Sequence, residues 1–156
     1  MKNAFFLICV GIALSFSAEA QKKTKTKVKV TTAKVNVPEN IKGSFSANYE
    51  GVKDAKWTKN YTGNYIANFT DSTSLKESLE YNAKGDKVKT TTMYDVAALP
   101  VNITTAVQSQ YAGASVVEAS KVEVPGVTPF YKVKIERGET KKQKQLLISE
   151  EGLITE

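Results

Sequence analysis

The chain has 156 residues, with 22 basic and 16 acidic side chains, one cysteine and no histidine. The absence of histidine excludes a Ser-His or Cys-His catalytic pair and the common histidine-containing zinc sites. Apolar residues make up 41% of the chain, which is ordinary for a globular protein that buries a core.

The first twenty residues have the pattern of an export signal. Lys2 supplies a positive start, residues 4–16 form an apolar run, and A-E-A at 18–20 has the small-x-small form of a cleavage site. The run is too short for an ordinary membrane-spanning helix. We therefore expect a mature chain from Gln21 that is periplasmic or secreted, without cysteine and without a transmembrane segment. A retained membrane anchor is the alternative.

Residues 21–37 form a basic N-terminal arm. It contains six lysines and no acidic residue, whereas the chain from Pro38 onward has 15 basic and 15 acidic residues. An anionic partner or surface is one interpretation of this charge, and a solvated arm is the other. Export and the lack of aromatic residues among the lysines argue against nucleic acid. Lysine and valine alternate from Lys27 to Val30, as in an edge strand.

Residues 38–98 are predicted to form one helix followed by about four strands. A helix from Pro38 to Tyr49 would begin at a proline and present Ile41 and Phe45 on one face. Period-two alternation then predicts strands, separated by turn sequences at 60–64 and 82–85. Four aromatic residues in the apolar phase are expected to pack under this helix: Trp57, Tyr65, Phe69 and Tyr81. Two others, Tyr61 and Tyr94, lie at turns or strand ends and are candidates for exposed contact residues.

Residues 99–156 repeat the same order of elements. A helix is predicted from Pro100 to Tyr111, with strands near 115–124, 130–136 and 144–149 and a short one near Leu153. Five residue pairs recur at an offset of 62: Pro38/Pro100, Ile41/Ile103, Phe45/Val107, Tyr49/Tyr111 and Gly51/Gly113. The turn at 150–152 follows the turn at 83–85 by 67 residues, so the additional residues fall in loops.

These observations predict an α+β protein. A helix and about four antiparallel strands occur twice, in tandem, and we expect one antiparallel sheet with both helices on one face. The predicted organisation is a signal peptide at 1–20, the basic arm at 21–37, a first repeat at 38–98 and a second repeat at 99–156.

Short motifs follow one another along the chain in the same order. They are V-P and L-P before the helices, Y-x-G after them, A-K-W, Y-x-A-x-F and Y-N-A-K-G in the first half, and Y-K-V-K-I and I-S-E-E-G in the second. From Val37 to Glu156 the chain resembles the PepSY-like, β-lactamase-inhibitor-like (BLIP-like) secreted proteins of Bacteroidetes-type bacteria. This resemblance implies a tandem α-β repeat, a periplasmic or secreted location and no enzymatic activity. In the protein that gives the fold its name, the exposed sheet surface docks on an enzyme.

No catalytic or metal-binding motif is visible. Glu77 with Glu80 and Glu150 with Glu151 are possible carboxylate pairs, but we expect them on a solvent-facing strand face and in a hairpin turn. A Ser-Lys dyad is possible in composition, although no motif singles one out. No calcium-loop motif is present. We therefore predict no enzyme activity, no cofactor and no metal site.

The function hypothesis is a non-enzymatic periplasmic or secreted binding module, such as an inhibitor. It would recognise a protein or glycan of the envelope through the exposed face of the sheet. One alternative is an envelope-associated structural protein that its basic arm holds to an anionic surface, and another is an unrecognised hydrolase with a polar pocket. The candidate partner-binding residues are Lys56, Thr58, Tyr61, Lys76, Lys87, Lys89, Lys132 and Lys134.

Overall fold

The structure, a computed structural model, describes residues 35–138 and 141–155. The predicted signal peptide and most of the predicted basic arm fall outside the described residues. The helices are α1 (Glu39–Asn48), α2 (Val101–Gln110) and a 3-10 turn at Val96–Ala98. The strands are β1 (Lys56–Lys59), β2 (Tyr65–Thr70), β3 (Lys76–Tyr81), β4 (Lys87–Tyr94), β5 (Ser115–Val124), β6 (Val127–Arg137), β7 (Lys142–Ser149) and β8 (Ile154–Thr155).

The eight strands form one open antiparallel sheet in the order of the sequence, β1 to β8. Each strand therefore pairs only with its neighbours along the chain. Strand β1 forms one edge, and β8 forms the other, where it pairs with Leu147 and Ile148 alone. The predicted α+β class with a single antiparallel sheet is confirmed.

Each long helix begins directly after a proline. The carbonyl oxygen of Pro38 accepts hydrogen bonds from the amides of Ile41 and Lys42, both at 3.1 Å. The carbonyl of Pro100 does the same for Ile103 and Thr104. Both prolines have extended backbone, so they precede the helix instead of occupying its first position as the sequence suggested. Proline suits this position because the first amides of a helix have no partner within it.

The first hydrophobic cluster joins α1 to strands β2 and β3. Ile41 and Phe45 of the helix are buried against Ala67, Phe69 and Leu79 of the sheet. The ring centroid of Phe45 lies 5.4 Å from that of Phe69, in an edge-to-face arrangement that favours aromatic pairs. Trp57, Tyr65 and Tyr81 belong to the same cluster, so the expected packing of these aromatic residues near α1 is confirmed.

The second hydrophobic cluster joins α2 to strands β5, β6 and β7. Ile103 and Val107 are fully buried together with Val133 and Leu146. Tyr94 packs against this cluster, and its ring centroid is 5.8 Å from that of Tyr131. The interpretation of Tyr94 as an exposed contact residue is therefore wrong, because its strand phase directs it to the same face as Tyr131.

The cross-strand register divides the sheet residues into two faces. Residues in the phase of Ala67, Leu79, Val133 and Leu146 lie on what we call the core face, and alternate residues lie on the open face. Between the two clusters the core face is polar. This stretch carries Glu77, Thr90, Thr92, Lys121 and Glu123, which follow one another across β3, β4 and β5.

Each helix also contacts a hairpin turn through an asparagine. The side-chain amide of Asn40 donates to the carbonyl of Ala83 at 3.3 Å, and Asn102 donates to the carbonyl of Glu150. Glycine ends each turn with a positive φ, 92° at Gly85 and 89° at Gly152. A Cβ at Gly152 would lie 3.2 Å from the carbonyl oxygen of Asn102, which is backbone and cannot move aside easily.

Gly152→Ala should therefore destabilise the fold more than Gly113→Ala. Gly113 also has a positive φ, 75°, but a Cβ there would meet nothing within 4 Å. The left-handed conformation alone should cost about 1–2 kcal/mol in either variant, and close approach to Asn102 adds to this cost only at Gly152. Urea unfolding of the two purified variants tests the prediction. Equal losses in free energy of unfolding would contradict a close contact between α2 and the turn.

Candidate partner-binding face

The open face contains six of the eight candidate partner-binding residues, and one of them is Lys89, which pairs with Glu80 across β3 and β4. Lys56 pairs with Asn68, and Thr58 pairs with Ile66, at the β1 edge. Further along, Lys76 pairs with Met93, and Lys132 pairs with both Ser120 and Leu147. Lys134 lies one row nearer the end of β6, beside Glu118.

Two of the candidate lysines are neutralised by carboxylates of neighbouring strands. The Nζ of Lys89 lies 2.5 Å from Oε2 of Glu80, and the Nζ of Lys134 lies 2.6 Å from Oε2 of Glu118. Salt bridges of this kind reduce the charge that a lysine can offer to a partner. Lys89 and Lys134 therefore offer less free positive charge than the sequence suggested.

Four candidate lysines keep an uncompensated charge. Lys56, Lys76, Lys87 and Lys132 are exposed and form no ion pair with any residue in 35–138 or 141–155. Lys56, Lys76 and Lys132 point from the open face. Lys87 lies at the start of β4, where the register shifts beside Tyr81. The open face therefore carries three of these four uncompensated charges.

Apolar side chains accompany these lysines on the open face. The strand phase places Met93, Val122, Phe130 and Leu147 there, on four adjacent strands β4 to β7. Val122 is only 8% exposed and the other three are partly buried. The sequence analysis missed this patch, although Met93 and Phe130 stand in the phase of lysines and serines. An apolar residue in the polar phase of a strand was the available signal.

The remaining candidate, Tyr61, lies at the tip of the β1–β2 turn and is fully exposed. The turn is ordered by Asn60, whose Oδ1 accepts from the amides of Thr62 and Asn64 at 3.1 and 2.9 Å. The side-chain amides of Asn60 and Asn64 both donate to Oε1 of Glu80 at 2.8 Å. Glu80 therefore holds the turn that presents Tyr61, at the end of the sheet opposite to Lys76.

The two glutamates predicted on a solvent-facing strand face differ in environment. Glu80 is on the open face but only 7% exposed, under the hydrogen bonds just described. Glu77 lies on the core face opposite Thr92, and its Oε2 is buried without a hydrogen-bond partner among the residues that the structure describes. The prediction that both are simple surface charges is wrong, because β3 places Glu77 in phase with the buried Leu79.

Ionisation follows these environments. Burial raises the pKa of Glu77, and the negative charge of Asp71 adds to this increase. Burial acts in the same direction on Glu80, but hydrogen bonds from Lys89, Asn64 and Asn60 outweigh it and lower the pKa of Glu80. Burial also raises the pKa of Tyr81 to about 12, so its hydroxyl stays protonated at neutral pH.

Two grooves cross the open face at the strand ends near Lys76. The lysine groove, of about 730 Å³, includes Lys53, Asp54, Lys56, Thr70, Lys76 and Met93 in its walls. The apolar groove, of about 430 Å³, includes Leu75, Lys76, Met93, Asp95, Val96 and Val117. Lys76 and Met93 belong to both, so the two grooves meet at this pair. Lys87 and Lys89 line a separate, smaller depression of about 240 Å³ near Pro125.

The chemistry of this face is that of binding. No group of three or more His, Cys, Asp or Glu side chains that could hold a metal occurs in the described ranges. The uncompensated lysines and adjacent apolar side chains provide charge attraction and desolvation, the two forces that protein interfaces combine. Within the part of the chain that the structure covers, neither helix is long and apolar enough to span a bilayer.

Comparison with known proteins finds the fold among solved structures. No family model matches the chain, and no curated protein matches it. A DUF2874 family protein from Bacteroides ovatus is similar, with a TM-score of 0.72 and 22% identity over 78% of this chain and 86% of that one. A BLIP-like protein from Bacteroides fragilis has a TM-score of 0.69 and 21% identity over 78% and 85%.

A third structure, a candidate periplasmic protein from Bacteroides eggerthii, has a TM-score of 0.71 and 14% identity over 78% of this chain and 88% of that one. The TM-scores establish a shared fold, and identities this low establish no more than that. The chain therefore has the fold seen in DUF2874 and BLIP-like proteins of Bacteroides, as the resemblance in the sequence implied, whereas no PepSY-like protein is among these structures.

Glu77→Gln and Glu80→Gln should change stability with opposite pH dependence. The raised pKa of Glu77 favours the folded state at low pH, so this contribution is lost as pH rises above the ordinary value of 4.5. The lowered pKa of Glu80 stabilises the fold above that value, and this contribution is lost as pH falls. At pH 7, Glu80→Gln should cost about 1–3 kcal/mol, since it removes charged hydrogen bonds.

Thermal and urea unfolding from about pH 2.5 to pH 8 measures both effects, since the contribution of Glu80 is lost only below its ordinary pKa of 4.5. The deficit of Glu80→Gln should shrink as pH is lowered, while Glu77→Gln should gain on the wild type as pH rises. Each variant controls for the other, because both replace a strand β3 carboxylate by the same amide. Parallel pH profiles would contradict the different environments.

Proposed function

We propose that this protein is a non-enzymatic binding module that recognises a protein partner through the open face of its sheet. The observation that carries the proposal is the apolar patch of Met93, Val122, Phe130 and Leu147, bordered by the uncompensated charges of Lys76 and Lys132. Met93, Phe130 and Leu147 of this patch remain partly accessible, and an accessible apolar patch among polar residues is typical of an interaction site. The apolar residues of the core face, in contrast, pack against the two helices.

A protein partner fits this face better than a glycan. The patch extends across four strands, β4 to β7, and Ser120 and Lys132 lie in the row between Met93 and Leu147, which is not a set of convergent donors and acceptors. Burial of Phe130 and Leu147 requires an apolar counterpart, which another protein supplies. The lysines at the border would favour an acidic surface on that partner and increase the rate of encounter.

The comparisons support this proposal through the fold alone. A BLIP-like name belongs to one similar structure, and another is described as a candidate periplasmic protein. We extend both properties to this chain as proposals: a periplasmic or secreted location, and inhibition as the outcome when the partner is an enzyme. The absence of a catalytic constellation from the described residues agrees with a binding role.

We also propose that the chain arose by tandem duplication, with repeats at 38–98 and 99–156 and both helices on the core face. Three repeated features support this proposal. Ile41 and Ile103 are each fully buried against the sheet, Asn40 and Asn102 each donate to a turn carbonyl, and each of these turns ends in a left-handed glycine. The members of the first two pairs lie 62 residues apart in the sequence.

Reversing three charges of the open face should abolish partner capture. In the variant Lys56→Glu, Lys76→Glu and Lys132→Glu, attraction to an acidic surface becomes repulsion, and we expect capture to fall by about tenfold or more. The assay is cross-linking and affinity capture by the tagged mature protein from an extract of the native envelope. Unchanged capture of the same partner would refute the proposal.

The control variant also replaces three lysines by glutamates, so the net charge changes by the same amount but at other places on the protein. Lys84→Glu, Lys141→Glu and Lys142→Glu alter exposed lysines of turns and strand ends, away from the patch. This variant should capture the partner as the wild type does. Deletion of residues 21–34 tests the alternative of an arm-held envelope protein: the binding proposal predicts retained capture, and loss with this deletion would favour the arm instead.

A further inference from the structure

We infer that the lysine groove and the apolar groove together bind an extended segment of the partner that carries acidic residues at one end and an apolar residue at the other. This inference rests on the proposed function and specifies the part of the partner that the open face recognises. The two grooves differ in charge and hydrophobicity, yet they share the Lys76–Met93 pair. A positively charged stretch and an apolar stretch therefore lie next to each other in a fixed order along one path.

The lysine groove selects negative charge. Lys53, Lys56 and Lys76 contribute three positive charges to its walls, and Asp54 is the one acidic residue in those walls. None of these four side chains forms an ion pair with another described residue. The charges are held at the β1 edge and at the start of β3, on opposite sides of the groove. A carboxylate bound between them would be attracted from both sides.

The apolar groove selects an uncharged side chain. Leu75, Met93, Val96 and Val117 line it, and Val96 and Val117 are 36% and 41% exposed. Its two carboxylates, Asp95 and Glu118, are already engaged. Asp95 accepts from the amide of Ala97 at 3.2 Å, and Glu118 pairs with Lys134 at 2.6 Å. They still disfavour another acid in this groove, so the acidic part of the ligand must lie on the lysine side.

The dimensions fit a short extended peptide. The path runs from Lys56 on β1 to Val117 on β5 and so crosses four inter-strand spacings, about 19 Å at ~4.8 Å each. An extended chain advances about 3.3 Å per residue, so about six residues span this distance. The ligand is therefore a peptide segment of about this length, with acids at one end and an apolar residue at the other.

Fluorescence anisotropy with a labelled hexapeptide tests the inference on the mature protein. The probe has three glutamates, one glycine and two leucines, and the reference probe has glutamines in place of the glutamates. We expect saturable binding of the acidic probe below about 100 μM, with affinity that falls as salt increases. The glutamine probe should bind at least tenfold more weakly.

Two variants within the grooves and one outside make the result specific. Lys76→Glu should weaken binding at least tenfold and Val117→Ser should weaken it several-fold, since each changes one groove. Lys84→Glu reverses an exposed charge that lies outside both grooves and forms no ion pair with another described residue, and it should leave binding of the probe unchanged. Circular dichroism and thermal unfolding verify that all three variants remain folded.

Four outcomes would overturn the inference: no saturable binding by the wild type, equal binding of the glutamine probe, no effect of Lys76→Glu, or an equal effect of Lys84→Glu. Binding of a polyuronate with the same Lys76 dependence, without peptide binding, would identify a glycan site and also overturn it. If partner capture depends on the open face but the probe does not bind, this inference fails alone. If the probe binds but reversing the open-face charges leaves capture unchanged, the proposed function fails instead.

Discussion

One-sided burial of the sheet is the constraint on which the rest of the structure depends. Each helix has only ten residues and would be marginal in isolation. Its stability comes from packing, and the fully buried Ile41 and Ile103 mark the centre of each contact. Two short helices cover two separate areas, so polar residues can lie between the clusters on the core face. With both helices on the core face, as we propose, the alternate residues of every strand remain on a face that no described helix covers.

The polar residues of the protein take different roles because of this division. Glu80 and Glu118 pair with lysines of neighbouring strands, and Lys121 pairs with Glu150 at 2.8 Å. These contacts are local and support strands and turns. Lys56 and Lys76 have no comparable partner in the described ranges; both line the lysine groove, and Lys76 also lies where the two grooves meet. The lysines of the open face are distributed more widely than the uncompensated charge. The electrostatic asymmetry of this face therefore depends on which lysines form ion pairs with carboxylates.

Much of this fold could be predicted from the sequence, because period-two alternation and the proline and glycine signals are local properties. The strand near 115–124 and the burial of Ile103 and Val107 follow directly from such patterns. Pairing across strands could not be predicted in the same way. The contact between Lys89 and Glu80 depends on register beside a β-bulge, and that register is set by packing. The burial of Glu77 could in principle be predicted, since Glu77 shares the strand phase of Leu79, but its charge favoured the prediction of an exposed side chain.

The consecutive order of the strands has a consequence for how the chain folds. The two strands of every pair are joined by the loop or the helix between them, so no strand pairs with a segment that is distant in the sequence. Topologies dominated by contacts close in sequence have low entropic barriers and fold rapidly for their size. With few exceptions, each hydrophobic cluster is formed by residues from one continuous part of the chain. This favours assembly of the two halves one after the other as they emerge during synthesis. Such a chain would reach its compact state with little time for exposed strand edges to aggregate.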